Sequence, residues 1–186
     1  MSFAEIQKDA RSRMEKAVGH LQEVLRTVRT SQASPALVEN IRVDYYGAPT
    51  PISQLGSISV PEPRQIAIKP FDPSILQEVQ TAILKSDLGI NPQSDGKVLR
   101  LSLPQLSGEQ RTKYAARVKE MCEEGRIAMR NVRRELNKMA DQACKDSDLT
   151  EDENKKLHEE IQKLLKSFEQ QVDGVQEKKV TEIMAV

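Results

Sequence analysis

The sequence predicts an α+β fold: a long antiparallel three-helix bundle interrupted by a small inserted β/α/β domain. Two observations carry this. All nine prolines fall between residues 31 and 105, and none lies in 1–30 or 106–186. Apolar residues recur every three or four positions in the proline-free flanks, whereas in the middle they alternate with polar ones. A helical domain split in sequence by an insertion produces this pattern, so residues 1–30 and 106–186 are assigned to the bundle and 31–105 to the insert.

The first helix is marked by Phe3, Ile6, Ala10, Met14, Ala17, Leu21, Val24 and Val28, an apolar stripe on about 40 Å of helix. The second carries Tyr114, Val118, Met121, Gly125, Met129, Val132, Leu136, Met139 and Ala143 from Ser107 to Lys145, roughly 57 Å. The third carries Leu157, Ile161, Leu164, Phe168, Val172 and Val175. Its start is signalled by Thr150 and Glu153, an S/T-x-x-E capping box, with Glu151 and Asp152 where the helix dipole favours negative charge. Three such stripes can bury one another within one chain; a dimeric coiled coil is the alternative. The short connection at 146–149 suits antiparallel neighbours and so favours a monomer.

In the insert, Ile41–Tyr46, Ser57–Val60, Arg64–Lys69 and Val98–Ser102 read as short strands punctuated by proline and glycine. Between them Asp72-Pro73 caps a helix bearing Ile75, Leu76, Val79, Ala82 and Ile83, which ends near Asp87. Two segments of chain join insert to bundle, a connection that permits hinge motion.

Composition excludes several function classes. Mean hydropathy is −0.57, and the longest uncharged stretch, Tyr45–Pro61, is broken by prolines and glycines, so no membrane helix is expected. The N-terminal residues MSFAEIQKDARSR lack the apolar core of a signal peptide, so a cytoplasmic protein is expected. Cys122 and Cys144 lie 22 residues apart on one helix, roughly 33 Å, too far for a disulfide, and read as buried thiols. His20 and His158 have no Cys or His at ligand spacing, so neither a metal nor another cofactor is expected. No nucleophile has a base beside it in the pattern, and no glycine-rich phosphate loop is present, so the chain does not read as an enzyme.

The charge is balanced overall, 28 basic against 28 acidic, but not locally. Arg111 to Lys138 holds nine basic and four acidic residues, a net of +5; Met139 to Val186 holds seven and twelve, a net of −5. At 100° per residue Arg126, Arg130 and Arg133 share one face of the second helix, with Lys119 beside them. Two readings are open. Acids of the third helix answer the arginines in a salt-bridged face, or the arginines form a track for phosphates, which their planar forks suit. Two functions compete: a nucleic-acid or ribosome-binding factor, favoured by the arginine face, and a coiled-coil chaperone or adaptor, which would present apolar grooves or helix tips.

Four segments, in order, carry a family resemblance: Val28-Arg29-Thr30 through Ala33-Ser34-Pro35-Ala36-Leu37; Tyr45-Tyr46-Gly47-Ala48-Pro49-Thr50-Pro51-Ile52 with Gln54-Leu55; Ser86-Asp87-Leu88-Gly89-Ile90-Asn91-Pro92; and Arg126 through Arg130-Asn131-Val132-Arg133-Arg134. Over essentially its whole length the chain resembles bacterial ribosome recycling factors. The resemblance implies an L-shaped molecule of roughly transfer-RNA outline. It also implies action after termination on the 70S ribosome, where the bundle lies against large-subunit ribosomal RNA. Elongation factor G, hydrolysing GTP, then drives subunit splitting and release of messenger and transfer RNA. By matching position, Arg130 and Arg133 lead the implied RNA contacts, followed by Arg126, Arg29 and Arg111. The implied hinge comprises Thr30, Ser31, Gln32, Pro104 and Gln105. Where the family reads R-T-G-R-A this chain reads Arg29-Thr30-Ser31-Gln32-Ala33, and losing the glycine's access to positive φ implies a stiffer hinge.

Overall fold

A computed structural model describes residues 2–86 and 88–185. In chain order its helices are α1 (Phe3–Arg26), α2 (Ile52–Leu55), α3 (Leu76–Lys85), α4 (Gly108–Lys145) and α5 (Glu151–Met184). Its strands are β1 (Arg42–Tyr45), β2 (Ala48–Pro51), β3 (Gly56–Glu62), β4 (Gln65–Pro70), β5 (Pro92–Ser94) and β6 (Leu99–Ser102). The chain divides into two compact units. One holds the residues up to Leu25 together with Ala115–Thr181; the other holds Arg26–Tyr114 and the C-terminal residues from Glu182.

The first unit is the helical one. Close approach of Leu21 to Gly125, and an ion pair between Arg13 and Glu135, run α4 antiparallel to α1. Gln7 bonded to Glu160 and Lys156 over the Phe3 ring run α5 parallel to α1. The buried stripe of α1 is Ile6, Ala10, Met14, Val18, Leu21 and Leu25, so Val18 and Leu25 face the core where Ala17 and Val24 were expected. In each adjacent apolar pair the larger side chain takes the interior. On α4 the small residues Ala115, Cys122, Ala140 and Ala143 are buried with Val118, Met129 and Leu136, while Tyr114, Met121, Val132 and Met139 are half-buried. Small side chains let the backbones converge: a Cβ on Gly125 would sit 2.9 Å from Leu21 Cδ2. Burial pushes the Cys122 thiol pKa up, and Cys144 is only half-buried, unlike the expectation.

The start of α5 is built as its sequence indicates. Glu153 accepts from the Thr150 backbone N–H at 2.9 Å, and Thr150 Oγ1 accepts from the Glu153 N–H at 3.3 Å. These bonds, to the Thr150 backbone first and its side chain second, lower the Glu153 pKa. A carboxyl depressed in the folded state stabilises above its unfolded pKa, and that stabilisation is lost as pH falls through the folded value. Glu153→Gln is therefore expected to unfold at lower urea than the parent at neutral pH. The gap should close as pH falls below about 4, where the parent's carboxyl also becomes neutral; urea titrations at the two pH values check this.

The second unit holds two antiparallel sheets, β1-β2 and β3-β4-β6-β5. Its core is Val38, Val43, Ile52, Ile66, Ile68, Val79, Ile83, Leu99 and Leu101 with their neighbours. Leu99 and Leu101 alternate with exposed Arg100 and Ser102, as a sheet with one covered face requires. Asp72 accepts from the Ser74 N–H at 2.9 Å and starts a 3-10 turn, Pro73–Ile75, that runs into α3. The expected end of this helix near Asp87 falls on a residue outside those described; α3 stops at Lys85. β2 and β5 were not anticipated, because Pro49, Pro51 and Pro92 argue against strands. Both are edge strands, where a missing N–H is tolerated.

β3 pairs with β4 closely at Gly56, whose partner is Pro70. A Cβ there would stand 2.7 Å from Lys69 O and 2.9 Å from Pro70 Cα, both backbone atoms with no rotamer to yield. Gly56→Ala is expected to destabilise the sheet unit by about 1–3 kcal/mol, read as an earlier urea transition.

Candidate nucleic-acid interface

The arginine row on α4 faces α5. Arg126 is the most enclosed, with its side chain 15% exposed. It pairs with Asp173 and, at 3.1 Å, with Glu123, and donates to Gln176 Oε1 at 3.1 Å. Burial works against its charge, but the bonds to Asp173 and Glu123 outweigh this and raise its pKa. Arg130 is 43% exposed and pairs with Glu169 and Glu123, each at 3.1 Å. Arg133 differs. Its Nη1 donates to the neutral Gln162 Oε1 at 2.8 Å, and its buried Nε has no acceptor. Among the described residues no carboxylate pairs with it. Arg134 and Lys119 are exposed on the same helix. The salt-bridged face is thus realised at Arg126 and Arg130, leaving Arg133 the one of these three arginines with no carboxylate partner among the described residues.

Arg29 and Arg111 lie elsewhere, in the second unit. Arg29 is 8% exposed and donates through Nη2 to Pro104 O at 2.9 Å and through Nη1 to Leu88 O at 3.3 Å. Arg111 donates through Nη1 to Met184 O and Ala185 O at 3.1 and 2.8 Å, and through Nε to Leu106 O. It caps carbonyls at the end of α5 that helix geometry leaves without intrahelical donors. Both arginines are occupied with backbone acceptors; Arg29 is off α4, and Arg111 lies in its first turn, outside the stretch from Arg126 to Arg133.

The expected hinge residues also fall inside the second unit, which begins at Arg26 rather than at residue 31. Thr30 Oγ1 accepts from the Gln32 N–H at 3.3 Å and donates to its carbonyl at 3.2 Å. Ser31 Oγ donates to Ala185 O at 2.8 Å, sharing that acceptor with Arg111. Pro104 offers its carbonyl to Arg29, and Gln105 is exposed. Sequence periodicity could not find the Arg29 and Arg111 anchors, because all their acceptors but Leu106 O lie 59 to 75 residues away along the chain.

Among the described residues no group of three His, Cys, Asp or Glu could hold a metal ion, and no helix is long and apolar enough to cross a membrane. His158 is half-buried, its Nε2 3.1 Å from Asp141 Oδ1, and His20 is exposed.

The class these features define is a helical-bundle protein with an inserted antiparallel-sheet unit and a row of arginines along its longest helix. Known proteins share this build. The family model described as "Ribosome recycling factor" matches residues 21–184. The ribosome-recycling factor of Alkaliphilus metalliredigens (strain QYMF) is 43% identical over 182 residues, 98% of each chain. That of Pseudothermotoga lettingae is 47% identical over 179 residues, 96% of this chain and 97% of its own. A solution structure of the ribosome recycling factor superposes with a TM-score of 0.77 at 39% identity, covering 100% of this chain and 99% of the other. Another similar structure comprises models for the T. thermophilus ribosome recycling factor and the E. coli elongation factor G bound to the E. coli post-termination complex. It has a TM-score of 0.69 at 37% identity and covers both chains fully. This chain belongs to the ribosome recycling factor family.

Proposed function

We propose that this protein binds the post-termination 70S ribosome and, with elongation factor G and GTP, promotes subunit splitting and release of messenger and transfer RNA. The observation that carries this is similarity over the whole chain, in sequence and in fold, to ribosome recycling factors, one of them described together with elongation factor G on a post-termination complex.

The residues suggest how the work is divided. The α4 face holds ribosomal RNA of the large subunit, and Arg133 is its principal contact. Arg133 can exchange a neutral glutamine for a phosphate without breaking an ion pair, whereas Arg126 and Arg130 must release carboxylates first. Arg130 is the next candidate because it is the more exposed of those two. Arg29 and Arg111 hold backbone together, and Thr30–Gln32 with Pro104 and Gln105 carry the hinge. The factor acts as a cytoplasmic monomer without cofactor or bond chemistry of its own. Binding energy does the work, and GTP is hydrolysed on the partner.

Co-sedimentation with 70S post-termination complexes across a salt series tests this reading. Binding that weakens steeply with salt is expected, since phosphate contacts release counterions. Failure to bind at low salt would overturn it.

A further inference from the structure

We propose that Gln162 is a positioning residue for RNA binding: its neutral amide aims Arg133 and leaves the guanidinium charge free for a ribosomal RNA phosphate. This inference rests on the ribosomal function and the Arg133 contact proposed above.

One face of α5 answers the three arginines of α4. At 100° per residue Gln162, Glu169 and Asp173 fall within about 40° of one another. Asp173 pairs with Arg126 and Glu169 with Arg130. The place opposite Arg133 holds an amide instead, with the length and shape of a glutamate but not its charge. Folding gives no reason for the difference. Gln162 is exposed, and among the described residues its one hydrogen bond is that accepted from Arg133 Nη1 at 2.8 Å. A glutamate would accept the same bond and add an ion pair, so stability alone favours the acid.

The amide changes what the arginine has left to offer. A hydrogen bond to a neutral acceptor fixes the direction of Nη1 and neutralises nothing. Asn137, one turn further along α4, is neutral too. Arg133 is half-buried and its Nε is sealed from water without an acceptor, so the side chain is enclosed while its charge stays uncompensated. A phosphate oxygen is then the first anion this guanidinium meets, and binding it breaks no ion pair. A carboxylate at position 162 would compete with the phosphate for the same planar fork.

The test measures affinity for post-termination 70S ribosomes by co-sedimentation across a salt series, beside thermal melting. Gln162→Glu is expected to melt at the parent's temperature or higher and to bind about tenfold more weakly. Its slope of log affinity against log salt should be lower by about one. Gln162→Met, neutral and of similar length, should bind less well than the parent but better than Gln162→Glu. A purely structural bond gives the opposite order, since glutamate keeps it and methionine loses it. In an Arg133→Ala background Gln162→Glu should cost little further, because the charge it ties up is gone. Three results would overturn the inference while leaving the recycling function standing: parent-like binding by Gln162→Glu, weaker binding by Gln162→Met than by Gln162→Glu, or an undiminished loss in the Arg133→Ala background. If Arg133→Ala itself binds like the parent, the phosphate contact fails and the positioning role with it. If the unaltered protein does not bind ribosomes, the recycling function fails.

Discussion

Replacing Arg133 with alanine is expected to leave helix content unchanged and to weaken ribosome binding by about tenfold or more. The fold should survive because Arg133 donates to a single neutral side chain, Gln162, and its Nε has no acceptor. Removing it strands no buried carboxylate. Its loss should also lower the slope of log affinity against log salt by about one, the signature of one phosphate contact. Circular dichroism and a co-sedimentation salt series read the two halves of this expectation. A variant that binds like the parent would remove Arg133 from the interface. Arg126 makes the useful contrast. It is enclosed by Asp173, Glu123 and Gln176, so its substitution should disturb the α4–α5 packing before it disturbs any contact with RNA.

Arg29→Ala is expected to destabilise the second unit by about 1.5–3 kcal/mol, the range for hydrogen bonds made by charged groups. The guanidinium ties Pro104 O to Leu88 O across segments far apart in sequence, and it is nearly sealed from water. Both carbonyls would lose their donor. Urea unfolding followed by fluorescence of Tyr45 and Tyr46 reports on this unit. Arg29→Lys should recover only part of the loss, since an ammonium cannot span two carbonyls as the planar fork does. If Arg29 instead served mainly as a phosphate contact, Arg29→Ala would unfold like the parent and bind ribosomes less well.

Much of the architecture was legible because helices announce themselves through period and caps. The expected span from Ser107 to Lys145 differs from α4 by one residue, and the Thr150–Glu153 box forms with both reciprocal bonds. Composition alone separated the proline-bearing sheet region from the helices. What period could not decide was which member of an adjacent apolar pair faces inward, since Ala17 and Val18 differ by only 100° on the helix. Short edge strands were missed because β2 and β5 carry prolines that elsewhere argue against pairing. The arginine face itself was legible from spacing on α4. Its degree of neutralisation was not, because beside the local Glu123 the acids that answer it, Asp173 and Glu169, sit 39 to 47 residues away on α5. The same holds for Arg29 and Arg111: charge and motif mark them as candidates, and only the folded chain shows which backbone carbonyls they satisfy. Tyr46, ahead of a turn glycine, reads as the end of a strand, whereas the β1–β2 turn takes it at a φ of +49°.

The most direct test of the recycling function is subunit splitting of purified post-termination ribosomes, followed by light scattering, with the factor limiting and elongation factor G and GTP supplied. Splitting that requires this protein, elongation factor G and GTP together is the predicted result. Ribosomes that remain joined in the presence of all three, while a ribosome recycling factor from a relative splits them, would contradict it.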